Sequence, residues 1–237
     1  MARIRAVLFD LDGTLVQTRE SSWVLWRRVE EEFATGIDTR EKYFDLFREN
    51  MFEALPRVIG DEAKSDAVMR HFLELMRREY DPPPVPGMMD VVRTLSNECV
   101  IGIVSSNAIA AIRRILRTAG VENCVAHIFG GDVIPDKRVA IRQFLSEPGY
   151  ATMRRDRPDY DEEVPLPLTH EEVVLVTDTV GDVAQAQDCG IRSVGVAWGL
   201  HEADRLREAG AEFVAQWPLE ILSWVRNPGM RVISRTG

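Results

Sequence analysis

The sequence predicts an α/β protein built on a doubly wound parallel sheet, with a block of helices inserted after the first strand. From residue 88 onward, short apolar runs alternate with helical patterns, which is typical of strands covered on both faces by crossover helices. Between residues 17 and 86, by contrast, apolar residues recur only at helical spacing. The 237 residues exceed the usual size of one domain, so a core with a sizeable insertion fits the length.

Composition and charge narrow the class of protein. Hydrophobic residues make up 45% of the chain and charged residues 28%, as in ordinary globular proteins. The net charge of −9 disfavours nucleic acid or an anionic membrane as the main partner.

No stretch approaches the roughly 20 apolar residues that span a bilayer, and no signal peptide precedes the first strand, so we expect a cytoplasmic protein. Three cysteines lack the spacing of a disulfide or zinc framework and are expected to be reduced: Cys99, Cys124 and Cys189.

The first predicted strand lies in the apolar run from Val7 and ends in two carboxylates, Asp10 and Asp12. Side chains alternate along an extended chain, so the two carboxylates point the same way if the backbone stays extended through Leu11. Two like charges so close need a cation or a basic neighbour unless one is protonated, and oxygen ligands favour a hard ion such as Mg²⁺.

The residues that follow, Gly13 and Thr14, allow the chain to turn sharply and leave backbone N–H groups available to bind an anion. A carboxylate nucleophile, a metal and a phosphate at the end of a strand are therefore one interpretation. An Asp-Gly turn whose acids only cap and solvate it is the other, and these residues by themselves do not decide between them.

Residues 17–86 are predicted to form three or four helices. Trp23, Trp26, Val29 and Phe33 recur at spacings of three and four, and similar stripes follow further along this segment. We expect the aromatic stripes to form a core rather than a ligand site. Pro-rich residues 81–87 then return the chain to the sheet, and the two connecting segments suit a hinge for a cap. The predicted domains are a core of residues 1–16 and 87–237 and a helical cap of residues 17–86.

The remaining chain supplies the other elements of the predicted core. Met88 to Leu95 is amphipathic and predicts a helix. The predicted strands are Cys99 to Val104, Val125 to Phe129, Val173 to Val176, Arg192 to Val196 and Phe213 to Val214. The further predicted helices are Ile109 to Ala119, Arg138 to Leu145 and Leu219 to Val225. The proline-rich, charged residues 146–172 interrupt this rhythm and predict a long loop, either a solvated excursion or a contact surface for a partner subunit.

Polar residues follow three of the predicted strands. Asp10, Ser105 and Asp178 each stand where a buried strand ends. Since the carboxyl ends of parallel strands meet in one crevice, we expect these side chains to converge despite their separation along the chain.

With this set of residues the chain resembles the haloacid dehalogenase superfamily of aspartate-nucleophile phosphotransferases, in the branch with a helical cap after the first strand. The resemblance covers nearly the whole chain and implies a Rossmann-like core. Four signature regions stand in order: Asp10-Leu11-Asp12-Gly13-Thr14, Ser105, a lysine that best matches Lys137, and Asp178 with Asp182. Arg138 is an alternative to Lys137. Thr177 departs from the pattern, because many relatives have glycine before the aspartate.

The resemblance implies a role for each residue. Asp10 would be the nucleophile and Asp12 the general acid and base. Mg²⁺ would be held by the side chains of Asp10 and Asp178 and by the backbone carbonyl of Asp12, while Asp182 would support the site through water or by positioning Lys137. Phosphoryl oxygens would be bound by the Ser105 hydroxyl, the Lys137 ammonium and the N–H groups of Leu11, Asp12 and Ser106.

The expected activity is hydrolysis of a small phosphate monoester through an aspartyl-phosphate, as in the phosphoglycolate phosphatase group. Members that cleave carbon-halogen bonds lack the second aspartate, so the presence of Asp12 disfavours dehalogenation. A phosphonatase would need a cap lysine, and the cap offers only Lys42 and Lys64. A sugar phosphomutase and a non-catalytic binding module stay open, and the chain is expected to be a monomer or homodimer. Candidate specificity residues in the cap are Arg19, Arg48 and Arg57, and the alternative for each, a surface role, is the one favoured.

Overall fold

The computed structural model describes residues 2–48, 51–147 and 167–229. Most of the predicted 146–172 loop, residues 148–166, lies outside the described residues. Two compact units are distinguished. The described residues of Met1–Leu15 and Pro84–Gly237 form one, here called the sheet unit, and those of Val16–Pro83 form the other, here called the helical unit.

The sheet unit contains six parallel strands in the order β3-β2-β1-β4-β5-β6. Their bounds are β1 Ala6–Phe9, β2 Val100–Ser105, β3 His127–Gly130, β4 Val173–Thr177, β5 Arg192–Val196 and β6 Phe213–Ala215. β1, β2 and β4 are buried along their whole length. Such continuous burial is what a parallel sheet covered on both faces requires. The predicted doubly wound α/β fold is confirmed.

Six helices accompany these strands in the described part of the sheet unit. They are α5 Met88–Leu95, α6 Ile109–Thr118, α7 Lys137–Ser146, α8 Val180–Asp188, α9 Ala203–Glu208 and α10 Pro218–Arg226. The sequence did not predict α8 or α9. It also placed the third strand two residues too early, because Val125 N–H donates to Glu122 O (3.2 Å) at the end of a 3-10 turn, and the strand begins only at His127.

The described residues of the helical unit form four helices, where the sequence predicted three or four. They are α1 Thr18–Phe33, α2 Arg40–Arg48, α3 Met51–Ile59 and α4 Glu62–Glu79. The predicted aromatic core is present. Trp26 is fully buried, donates from Nε1 to Ile37 O (3.0 Å), and contacts the rings of Tyr43 and Phe72.

Within the described ranges, no helix is both long and apolar enough to cross a membrane. The three cysteines are unpaired, as predicted, and Cys99 and Cys189 are buried.

Candidate active site

The strand order reverses between β1 and β4, which are neighbours in the sheet although 163 residues separate Phe9, the last residue of β1, from Val173, the first residue of β4. In open α/β sheets, ligands bind in the crevice at this switch point, outside the carboxyl ends of the strands. Asp10 directly follows β1 and Asp178 directly follows β4. The fold therefore puts the two predicted metal-binding carboxylates on either side of the switch point.

Lys137 lies between two of the buried carboxylates. Its Nζ is 2.6 Å from Oδ1 of Asp10 and 2.7 Å from Oδ2 of Asp182. Lys137 is the first residue of α7, and Asp136 before it caps the helix by accepting from Arg138 N–H (2.9 Å). Arg138, the alternative in the sequence, points elsewhere and pairs with Asp136 and Asp188. Lys137 is thus the basic group that the structure brings to Asp10.

The contacts of Thr177 account for a threonine at a position where many relatives have glycine. The buried hydroxyl donates to Oδ2 of Asp182 (2.7 Å) and accepts from Thr179 N–H (3.2 Å). Oδ2 of Asp182 thereby receives both the Thr177 hydroxyl and the Lys137 ammonium. In this chain the Thr177 side chain helps to hold Asp182, and Asp182 in turn holds Lys137.

Replacing Thr177 by valine is expected to lower the free energy of unfolding by about 1–3 kcal/mol, because it leaves a buried carboxylate oxygen and the Thr179 N–H each short of a partner. Urea unfolding followed by circular dichroism measures the change. Thr177→Ser keeps the hydroxyl and is the matched control. A serine variant as unstable as the valine variant would show that the methyl group, not the hydroxyl, carries the effect.

Backbone and side-chain groups pack closely around the Asp178 carboxylate. Its Oδ2 accepts from Leu200 N–H (2.7 Å) and its Oδ1 from the Thr14 hydroxyl (3.4 Å). A Cβ at Gly13, which has φ of 73°, would lie 2.1 Å from Oδ2, and a Cβ at Gly199 would lie 2.1 Å from the Asp178 Cβ. Both positions need glycine so that the backbone can close around this carboxylate.

Asp12 is linked to the loop after β2. Oδ2 of Asp12 accepts from Nδ2 of Asn107 (2.5 Å). In the sequence, Asn107 ends the polar run Ser105-Ser106-Asn107 after a predicted strand, and no role was predicted for it. The signal that could have found it is a third polar residue in a loop that leaves the carboxyl edge of the sheet.

The remaining predicted phosphate-binding groups lie on the loops after β1 and β2. Ser105 is the last residue of β2, is buried, and accepts from Asn107 N–H through its Oγ (3.1 Å). Ser106 follows it and is exposed, whereas the Leu11 side chain is fully buried, so that Leu11 can offer a ligand only its backbone. Their predicted contacts with phosphoryl oxygens stay predictions.

Burial dominates the electrostatics of the site. It raises the pKa of Asp10 well above its ordinary value, although Lys137 acts in the opposite direction. Burial likewise raises the pKa of Asp178, to about 7. For Lys137 burial alone would lower the pKa, but Asp10 and Asp182 outweigh it and hold the pKa above its usual range. The lysine is therefore charged, while its single charge does not offset the carboxylates around it.

This excess of buried negative charge fits a hard divalent cation. Within the described ranges, no three His, Cys, Asp or Glu side chains form a group able to hold a metal ion. Mg²⁺ does not need such a group, since it is commonly held by one or two carboxylates, waters and substrate phosphate. Asp10 and Asp178, with the backbone carbonyl of Asp12, match that donor set.

The three arginines that are candidates for setting specificity belong to the helical unit. The Arg19 guanidinium lies over the Phe44 ring, 5.5 Å from its centroid. Arg57 belongs to α3, and the side chain of Arg48 lies outside the described part of the structure. A role in substrate binding stays a prediction for all three.

Comparison with known proteins agrees with the fold. A family model described as haloacid dehalogenase-like hydrolase matches residues 7–196. Pyrophosphatase PpaX of Listeria innocua is 24% identical over 237 residues, covering 95% of this chain and 98% of its own length. Phosphoglycolate phosphatase of Synechococcus elongatus is 25% identical over 228 residues, covering 94% and 97%. A haloacid dehalogenase-like hydrolase structure from Streptococcus pneumoniae superposes with a TM-score of 0.75 at 19% identity, covering 94% and 99%.

Proposed function

Since the chain belongs to the haloacid dehalogenase-like hydrolase family, we propose that it is a Mg²⁺-dependent hydrolase of small phosphate monoesters that works through an aspartyl-phosphate on Asp10. The broader activity, a phosphatase-type hydrolase acting on phosphate esters, follows from the family and its named relatives. The finer proposal is supported by one observation above all. Asp10, at the switch point of the sheet, is buried and held by the Lys137 ammonium at 2.6 Å.

In the first step, a carboxylate oxygen of Asp10 attacks phosphorus and forms a new O–P bond. The bond between phosphorus and the ester oxygen breaks, and the leaving oxygen takes a proton from Asp12. The Lys137 ammonium, fixed by Asp10 and Asp182, supplies positive charge where negative charge spreads over the phosphoryl oxygens. The Ser105 hydroxyl and the N–H groups of Leu11, Asp12 and Ser106 would donate to the same oxygens.

In the second step, water attacks the phosphorus of the aspartyl-phosphate and gives its proton to Asp12. The O–P bond to Asp10 breaks, so inorganic phosphate leaves and both carboxylates return to their starting states. Asp12 therefore acts as acid and then as base at one position. Its Oδ2 accepts from Nδ2 of Asn107 in the loop after β2 (2.5 Å).

The proposed metal site consists of the Asp10 and Asp178 carboxylates and the Asp12 carbonyl. When bound there, Mg²⁺ supplies the charge that keeps the buried carboxylates ionised and draws electron density from the phosphoryl group. The backbone around Asp178, closed by Gly13 and Gly199, holds that ligand in one orientation. Asp182 serves the site through Lys137.

Phosphonate cleavage is less well supported by the helical unit. A Schiff-base lysine acts as an amine, which requires a desolvated or cation-flanked pocket. Neither lysine of residues 17–86 is buried. Lys42 Nζ pairs with Asp38 (2.7 Å), and Lys64 Nζ donates to Ala34 O (3.1 Å). Both ammonium groups thus have partners within their own unit.

The test is phosphate release from phosphoglycolate, hexose phosphates, nucleotides and pyrophosphate, each with Mg²⁺ or with a chelator. We expect metal-dependent release from one or two of these compounds, which would also name the substrate class. Phosphoglycolate and pyrophosphate deserve the first assays, because relatives similar over nearly the whole chain carry those names.

Two other results would contradict the proposal. Interconversion of sugar phosphates without net phosphate release would indicate a phosphomutase. Binding of Mg²⁺ without turnover of any ester would indicate a non-catalytic binding protein. Release that persists in the chelator would contradict the proposed metal dependence alone.

A further inference from the structure

We propose that Asn107 is a positioning residue for Asp12, fixing the carboxylate that transfers the proton; this inference depends on the proposed phosphatase function. The contact that carries it joins two loops at the carboxyl edge of the sheet. Nδ2 of Asn107 donates to Oδ2 of Asp12 at 2.5 Å, across 95 residues of sequence.

Asn107 is itself held on both sides of its backbone. Its N–H donates to Oγ of Ser105 (3.1 Å), and its carbonyl accepts from Gly131 N–H (2.9 Å). Ser105 ends β2, and Gly131 directly follows β3, so both anchors are continuous with strands of the sheet. The backbone of Asn107 is therefore held by the sheet at the point where its side-chain amide contacts Asp12.

The loop after β3 is shaped for this approach. A Cβ at Gly131 would lie 2.3 Å from the Ser106 carbonyl oxygen, and one at Gly130 would lie 2.8 Å from the Asn107 carbonyl oxygen. Both neighbours are backbone atoms, so no side chain could move aside to make room. Two consecutive glycines thus allow the loop after β3 to pack directly on the loop that carries Asn107.

An amide suits both proton transfers of Asp12. It is neutral, and its N–H donates to a carboxyl oxygen whether the carboxyl group is protonated or not. Nδ2 of Asn107 therefore holds Oδ2 of Asp12 before and after each transfer.

The experiment compares leaving groups in variants of Asn107. Para-nitrophenyl phosphate releases a weakly basic phenolate that needs little help from an acid, whereas an alkyl phosphate releases a strongly basic alkoxide that needs it. The alkyl probe is whichever of phosphoglycolate, glycerol phosphate and a hexose phosphate the wild type hydrolyses fastest. The value kcat/KM is measured with Mg²⁺, because it reports the step in which the leaving group departs.

We expect Asn107→Ala to lower kcat/KM for the alkyl ester by about 10- to 100-fold, the usual effect of misplacing a catalytic group. For the aryl ester the loss should stay below about threefold, since general acid catalysis contributes little there. Asn107→Asp keeps the size and the backbone contacts but puts a like charge against Asp12, so the same selective loss is expected from it. If the alanine variant does not fold, the Asn107→Asp variant still allows the kcat/KM losses on the two esters to be compared.

Two controls separate a positioning role from a structural one. Asn97→Ala removes an exposed amide that donates to Arg93 O (2.9 Å) far from the site, and should leave the ratio of the two kcat/KM values unchanged. In an Asp12→Asn background, Asn107→Ala should cause no further loss on the alkyl ester, because the group that it positions is already gone.

Equal losses on the two esters, or additive losses in the Asp12→Asn background, would overturn the positioning role of Asn107 and leave the phosphatase intact. Wild-type protein that hydrolyses neither kind of ester would overturn the proposed function and this inference together.

Discussion

Replacing Asp10 by asparagine is expected to lower phosphate release at least about 10³-fold while the protein still folds, because an amide is a poor nucleophile of nearly the same shape as the carboxylate. The substitution also removes the negative charge that Lys137 pairs with at 2.6 Å. Since Asp10 is buried and its pKa is raised, a neutral side chain at that position costs little in stability. Steady-state kinetics with the best ester and thermal unfolding measure the two quantities.

A matched substitution elsewhere in the sheet unit controls for this result. Asp132 follows β3, and its Oδ1 caps α6 by accepting from Ile109 N–H (3.1 Å), a bond that the asparagine oxygen can also accept. Asp132→Asn should therefore keep nearly full activity. If Asp10→Asn retained more than a few per cent of wild-type turnover, the nucleophile would have to be another group.

The fold could be predicted where the sequence carries a strong signal. β1 and β4 appear as uninterrupted apolar runs because both faces of the central strands are covered. α8 was not predicted, since a glycine stands at its second position and its buried face is only Asp182, Val183 and Ala186. An apolar stripe that weak does not show helical periodicity, and tertiary packing decides the helix instead.

The site residues also divide into those that a local sequence motif reveals and those whose contacts only the folded structure reveals. Asp10, Asp12 and Asp178 were predictable because each belongs to a short motif at the end of a buried strand. Thr177 contacts Thr179 and Asp182 within the turn into α8, a helix that was not predicted. The contact between Asn107 and Asp12 depends on how two separate loops approach each other, which no local pattern encodes. The glycines that allow this approach, such as Gly131, can be read in the sequence, but the backbone atoms that they pack against in the fold cannot.

Lys137→Met tests how much the charge balance of the site depends on one lysine. We expect the free energy of unfolding of the metal-free protein to fall by about 3–5 kcal/mol, because the buried Asp10 and Asp182 lose their cation. Protonation relieves such a cost. Burial already raises the pKa of Asp10, and loss of the lysine raises it further, so the folded state binds protons that the unfolded state releases. The deficit should therefore be largest at neutral pH and shrink as the pH falls.

The neighbouring residue provides the control for this variant. Arg138→Met removes an arginine that is partly exposed and pairs with Asp136 and Asp188, and solvent-screened pairs of this kind contribute little to stability. Urea unfolding of both variants from pH 5 to pH 8 separates a buried cation from a surface one. Equal, pH-independent losses in the two variants would mean that Asp10 and Asp182 do not depend on the lysine. A large loss confined to Lys137→Met, with phosphate release abolished as well, would tie the stability of the site and its proposed chemistry to the same ammonium group.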